Sequence, residues 1–185
     1  MNLEKKYNLD YIESSDWQEV FGLWKKNEEH LKKWKEHYEE RGYESWEDWR
    51  QNIIKPLNCG KLKWDLYKIK EPLKVIPKFF GGPFPVWREY FYNNKKTKSF
   101  AQLANLKKVQ LHKGIIDIAK NFPKKTVLIG LIVQDKIFII EGMHRSTAIG
   151  LINKNDGILN SSITIALAKF NKKELSQLKK IDPIK

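Results

Sequence analysis

TVLIGLIVQDKIFIIEGMHRSTAIG, residues 126–150, decides how the rest of this chain is read. Thr126 to Val133 is a β-branched, apolar run, and Lys136 to Ile140 is a second one. Two such runs split by the turn-type pair Gln134-Asp135 predict a β-hairpin. Gln-Asp is not among the preferred hairpin pairs, so the turn type stays open. Strand periodicity then gives way to helical periodicity at Gly142. Glycine tolerates the positive φ that a sharp strand-to-helix turn often needs. The helix beyond it opens with unsatisfied N–H groups, and His144 and Arg145 stand beside them. A helix N-terminus of that kind favours anions.

Within that stretch, IIEGMHRSTAIGL resembles the GxHRxxA signature of the ParB/sulfiredoxin superfamily, through Gly142, His144, Arg145 and Ala148 with Glu141 ahead of them. Strands before the motif, a helix through it and a strand near Ser161–Phe170 match the context of that signature. The resemblance covers residues 126–170. It implies an α+β fold: a small mixed sheet with a ParB/sulfiredoxin-like core in residues 71–185. It also implies that Gly142, Met143, His144, Arg145, Ser146 and Thr147 cradle the phosphates of a nucleotide, ATP or CTP. Glu141, His144 and Arg145 are then the candidate catalytic residues. Glu141 would hold Mg²⁺ or take a hydroxyl proton, and Arg145 would neutralise developing charge.

The chain departs from two branches of that superfamily. Met143 fills the place of the sulfiredoxin cysteine and cannot supply a thiolate. Only 15 residues follow Phe170, too few for the helix-turn-helix domain of a partition clamp. The free-serine kinases of the superfamily leave phosphoryl transfer to a small molecule as the chemistry implied. Two other classes stay open: a nucleic-acid-binding or nuclease-like module, and a non-catalytic anion sensor with a protein partner. A nuclease would want more carboxylates to hold metal than Glu141, with Asp135 in a turn and Asp117 upstream.

Charge is uneven along the chain. Residues 1–70 hold 14 Lys/Arg and 14 Asp/Glu, whereas residues 71–185 hold 21 and 8, which is the whole net charge of +13. The basic half therefore carries the motif, and a basic field concentrates phosphorylated ligands or nucleic acid. The single cysteine, Cys59, excludes an internal disulfide and a cysteine zinc cluster, and it reads as an inert thiol. A chain of 185 residues folds without a structural metal. With no apolar run of about 18 residues and no apolar signal core at the N-terminus, the expectation is a cytoplasmic chain with no membrane partner.

Residues 1–13 read as a lead-in. Ser15 with Gln18 suggests a capping box for a helix whose stripe is Trp17, Val20, Phe21, Trp24, Leu31, Trp34 and Tyr38, ended by Gly42. Glu28–Lys32 and Glu29–Lys33 would support its wet face. Ser45 caps a second helix with Trp46, Trp49 and Ile53, ending before Pro56. Six of the seven tryptophans lie in residues 1–64, and their helical spacing assigns them to a core rather than to base stacking. Residues 1–70 are thus expected to be a Trp-rich helical extension, with a helical hairpin at 15–55, packed on the core. Further expectations are a strand at Leu62–Leu66, sheet near 62–76, and a Gly81-Gly82 loop with Arg88 nearby. Beyond these come a capping box at Ser99–Gln102, helix to about Phe122 with a break near Lys108, a structural His112, and a last helix from Asn171.

Overall fold

The structure, a computed structural model, describes residues 3–171. It is an α+β fold around one mixed six-stranded sheet in the order β1-β2-β6-β4-β5-β3. The strands are β1 Leu9–Ser15, β2 Trp64–Ile69, β3 Phe80–Gly81, β4 Lys125–Val133, β5 Lys136–Glu141 and β6 Ser162–Lys169. β4 runs parallel to β6 and β3 parallel to β5; the other pairs are antiparallel. The helices are α1 Leu3–Tyr7, α2 Trp17–Glu28, α3 Lys32–Glu39, α4 Trp46–Ile54, α5 Pro72–Val75, α6 Pro85–Tyr90, α7 Phe100–Ala104, α8 Lys107–Gln110, α9 Lys113–Lys120 and α10 Met143–Lys154.

The central strands are apolar on both faces, because each face is covered. Alternate residues divide between two cores. Leu128, Ile137, Ile139, Ile163, Ile165 and Leu167 pack with α10, α7 and α9. Ile129, Leu131, Val133, Phe138, Ile140, Ala166 and Ala168 pack with Val20, Trp24, Trp46 and Trp49. The tryptophans are therefore core, as their spacing predicts. Trp24, Trp46, Trp49 and Trp64 are all buried. Cys59 is buried among them, and burial pushes its thiol up to about 12, which makes it inert at neutral pH.

The 126–141 hairpin forms as expected. Val133 pairs with Lys136, so its loop is Gln134-Asp135, and Gln134 takes φ 60°. Primed hairpin turns require such a positive φ. The loop is also held from outside. Tyr7 Oη donates to the Asp135 carbonyl at 3.0 Å, and Lys6 Nζ pairs with its carboxylate at 2.6 Å.

Several local expectations are corrected. Residues 3–13, expected to belong to a lead-in, form α1 and most of an edge strand. Only Leu9 of β1 is buried, so the strand has no alternating signature. The cap of α2 is Asp16, whose carboxylate accepts from Glu19 N–H at 2.9 Å, not Ser15. The expected long helix breaks at Glu29–Leu31 into α2 and α3. With the break, Glu28 turns inward to Arg50 and Glu29 pairs back to Lys25, instead of bridging to Lys32 and Lys33. The strand at Leu62–Leu66 begins at Trp64, and the segment after it is α5, started by Pro72. Helix from Ser99 is three short pieces, α7 to α9. The caps at Ser45 and Ser99 form as read, the latter a full capping box. The helix expected from Asn171 lies outside the described residues. Residues 1–70 supply two strands of the common sheet as well as the Trp helices on one face.

Candidate site at the β5–α10 turn

β5 reaches the turn through a β-bulge. Ile129 pairs with Glu141 and Gly130 with Ile139, which leaves Ile140 as the extra residue. Glu141 thereby shares the face of its partner Ile129, the face covered by the Trp helices. Gly142 follows at φ 89°. A Cβ there would lie 2.4 Å from Leu128 Cδ2, so both conformation and space demand glycine. α10 begins at once, with no side chain capping it.

The motif residues divide into two groups. Met143, Ser146 and Thr147 face the core. Met143 Sδ accepts from Gly82 N–H at 3.4 Å, and Thr147 Oγ1 donates to the Met143 carbonyl at 2.7 Å. Ser146 Oγ is buried with no partner among the described residues. The expected phosphate donors Ser146 and Thr147 therefore support the turn from within. Gly81 and Gly82 also serve packing. Added Cβ atoms would collide with Tyr92 Oη and with the Ile139 carbonyl.

Arg145 and Glu141 form an ion pair, and Arg145 also donates to Thr126 Oγ1. Their side chains are 15% and 2% exposed. Glu141 Oε2 has no partner among the described residues. Burial pushes the Glu141 carboxyl up; Arg145 and Arg50 oppose this and Glu28 adds to it. One oxygen of this carboxylate is thus taken by Arg145 and the other is buried without a partner among the described residues. Among the described residues, no group of three or more His, Cys, Asp and Glu could hold a metal ion.

His144 is half-buried, its ring 5.1 Å from Trp87 and 5.9 Å from His112. Desolvation, then Lys33, His112, Arg145 and Arg50, hold its pKa down to about 4. The imidazole is thus neutral at pH 7. His112 caps α9, its Nδ1 accepting from Ile115 N–H at 3.3 Å, a structural role as expected.

Three contributors are not visible in the motif: Glu28, Arg50 and Lys33, all from the Trp helices. Arg50 donates to Glu28, and its Cζ lies 3.8 Å from the ring centre of Trp49 and 5.1 Å from those of Trp24 and Trp34. Trp46 Nε1 donates to the same Glu28 oxygen at 3.2 Å. Asn27 Nδ2 donates to the Val127 carbonyl at 3.2 Å, fastening the end of α2 to β4. A sequence signal did exist. Glu28 is four residues beyond Trp24 and Arg50 four beyond Trp46, so both charges lie on apolar stripes. Of the remaining candidates, Asp117 pairs with Lys113 and Asp135 with Lys6, away from the turn. Arg88 Nε is buried without a partner among the described residues. A shallow groove of about 590 Å³ lined by Leu73, Lys74, Phe80 and Ser99 contains none of the motif residues.

Scanned against protein-family models, curated proteins and solved structures, the chain matches none.

Proposed function

We propose that this chain binds a nucleotide or another phosphorylated small molecule at the first turn of α10, within a ParB/sulfiredoxin-like core. One observation carries the reading. Lys33 of α3, Arg50 of α4 and Arg145 of α10 all add positive potential at His144, beside an uncapped helix N-terminus. Two of those charges, Arg50 and Arg145, are matched by Glu28 and Glu141. Lys33 and the helix dipole are left to attract an anion. Gly142 supplies the left-handed backbone of the turn, and neutral His144 can donate a hydrogen bond to a phosphate oxygen. Arg145 holds the turn in place. The arrangement supports binding rather than transfer, because Arg145 takes one oxygen of Glu141 and burial keeps the other from solvent.

The test is thermal denaturation with ATP, CTP, inorganic tripolyphosphate and phosphate, each with and without Mg²⁺. A ligand at a hundred times its Kd should raise Tm by roughly 5–10 °C. Lys33→Ala should weaken the effect with little change in the Tm of the free protein, since the side chain is exposed and its contact with the Trp34 ring is a surface one. No shift with any polyphosphate at low salt would end the reading.

A further inference from the structure

The two edges of the sheet are finished differently. β3, at one edge, is covered by the chain itself. Phe80 bridges to Ser99, Gly81 N–H donates to the Lys98 carbonyl at 3.0 Å, and Phe100 N–H donates to the Phe79 carbonyl at 3.0 Å. β1, at the other edge, has β2 on one side and no strand on the other among the described residues. Asp10 to Ser14 are exposed in succession, so neither face of the strand is covered along that stretch. Two of those residues are large and apolar: Tyr11 is 53% and Ile12 48% exposed. The register shifts between Tyr11 and Glu13, which makes Ile12 the extra residue of a bulge. This edge is acidic on a chain of net charge +13: between Lys6 and Lys25 lie Asp10, Glu13, Asp16 and Glu19 and no Lys or Arg. Asp10 is matched by Lys70 at 2.8 Å, with Lys68 opposite it on β2. Glu13 has no hydrogen bond or ion pair among the described residues. Asp65 of β2 accepts from Ser14 Oγ at 2.8 Å.

An edge strand presents a row of main-chain N–H and C=O groups, and an extended chain is the occupant that matches their spacing. A second copy is the wrong one. β1 against β1 would set acid beside acid with no base on either strand, and like charges across a strand pair are unfavourable. The bulge and the acids thus guard the edge against its own kind and leave it open to a strand of opposite charge. We infer that β1 is a docking edge for an extended basic segment of a partner protein. The segment adds to the sheet beside β1, its cations toward Glu13 and Asp65 and its apolar side chains against Tyr11 and Ile12. Three strands, β2, β6 and β4, separate β1 from β5 and the α10 turn, so this surface does not depend on the phosphate reading.

The experiment titrates the full chain, at low salt, into a labelled short peptide of alternating Lys and Val, read by fluorescence anisotropy. Hydrogen exchange of residues 9–15 is followed in the same mixtures. An alternating Glu–Val peptide of equal length tests the charge. The Lys–Val peptide methylated at every main-chain nitrogen tests the strand, since it keeps the charge and loses its donors. The expected result is binding of the unmethylated Lys–Val peptide alone, with slowed exchange of the β1 amides. Glu13→Lys, on an exposed side chain, should weaken that binding about three- to tenfold, with circular dichroism checking the fold. Equal binding of the Glu–Val peptide would overturn the charge match, and equal binding of the methylated peptide would overturn the strand; either ends the proposal. So would no binding, unchanged affinity in Glu13→Lys, or exchange in residues 9–15 that the peptide leaves as it was. A free chain that sediments as a dimer with its β1 amides already protected would reassign the edge to self-association and overturn the proposal as well.

Discussion

α2 and α10 invite comparison. Each is twelve residues long, and each leaves a strand through a single residue, Asp16 after β1 and Gly142 after β5. At Asp16 the backbone is extended, the carboxylate caps the helix, and Glu19 sits in the first turn. Acid at a helix N-terminus complements the dipole, so this end is complete in itself. At Gly142 the backbone is left-handed, no side chain caps the helix, and the first turn carries His144 and Arg145 with no acid. Cations at the positive end of a helix are unfavourable. Their presence is tolerated through Glu141, brought in by the bulge, and through desolvation that keeps His144 neutral. The difference separates an end closed by its own side-chain cap from one whose first-turn N–H groups have no such cap.

The largest test of this comparison is the buried pair. Arg145→Met should destabilise the fold by about 3–5 kcal/mol, since Glu141 would remain buried and alone. The double variant Glu141→Leu/Arg145→Met should recover much of that loss. Chemical denaturation of both variants measures it. A single variant as stable as the parent would show that the turn does not depend on the pair.

Next comes Gly142→Ala. A left-handed alanine costs about 1–2 kcal/mol, and contact with Leu128 adds to it, so about 2–3 kcal/mol is expected. Asp16→Ala should cost less, about 1 kcal/mol for a lost cap, and should leave tripolyphosphate affinity untouched. If the two substitutions cost the same, the two turns are not built on different principles.

The smallest effect at neutral pH comes from His144. Its folded pKa, about 4, lies below its ordinary 6.5. The unfolded chain therefore takes up this proton first. The contribution to stability is complete above pH 6.5 and is lost as pH falls toward 4. Glu141, with its carboxyl pushed up by burial, works in the opposite sense on acidification. The imidazole titration of His144 by NMR separates them, with an expected midpoint near 4. His144→Gln should flatten the acid side of the stability curve. A midpoint near 6.5 would mean that the turn is neither dry nor positive.

The hairpin, its Gln134-Asp135 loop and the glycine-led start of α10 were legible because each is a signal spanning a few residues. So were the caps at Ser45 and Ser99. β1 was not, since LDYIESS shows neither alternation nor a turn partner; its place comes from pairing with β2, distant in sequence, from Leu9 with Ile69 to Ser15 with Trp64. The same holds for the site. GMHR can be picked out, but Ser146 and Thr147, expected as phosphate donors, face the core instead. Glu28 and Lys33 read from the sequence only as members of ion pairs on the wet face of a helix, and Arg50 carries no expectation of its own.

By itself, then, the sequence determined the hairpin–glycine–helix unit, the stripes of the Trp helices and the basic character of residues 71–185, since periodicity, caps and charge are written locally. The tertiary structure alone decided which way those residues point. The bulge at Ile140 turned Glu141 toward Arg145 and the Trp helices, and the bond from Asn27 to the Val127 carbonyl joined residues a hundred positions apart. Burying a charge is affordable only where its partner is already in place, and that partner is chosen by packing, not by neighbours in sequence.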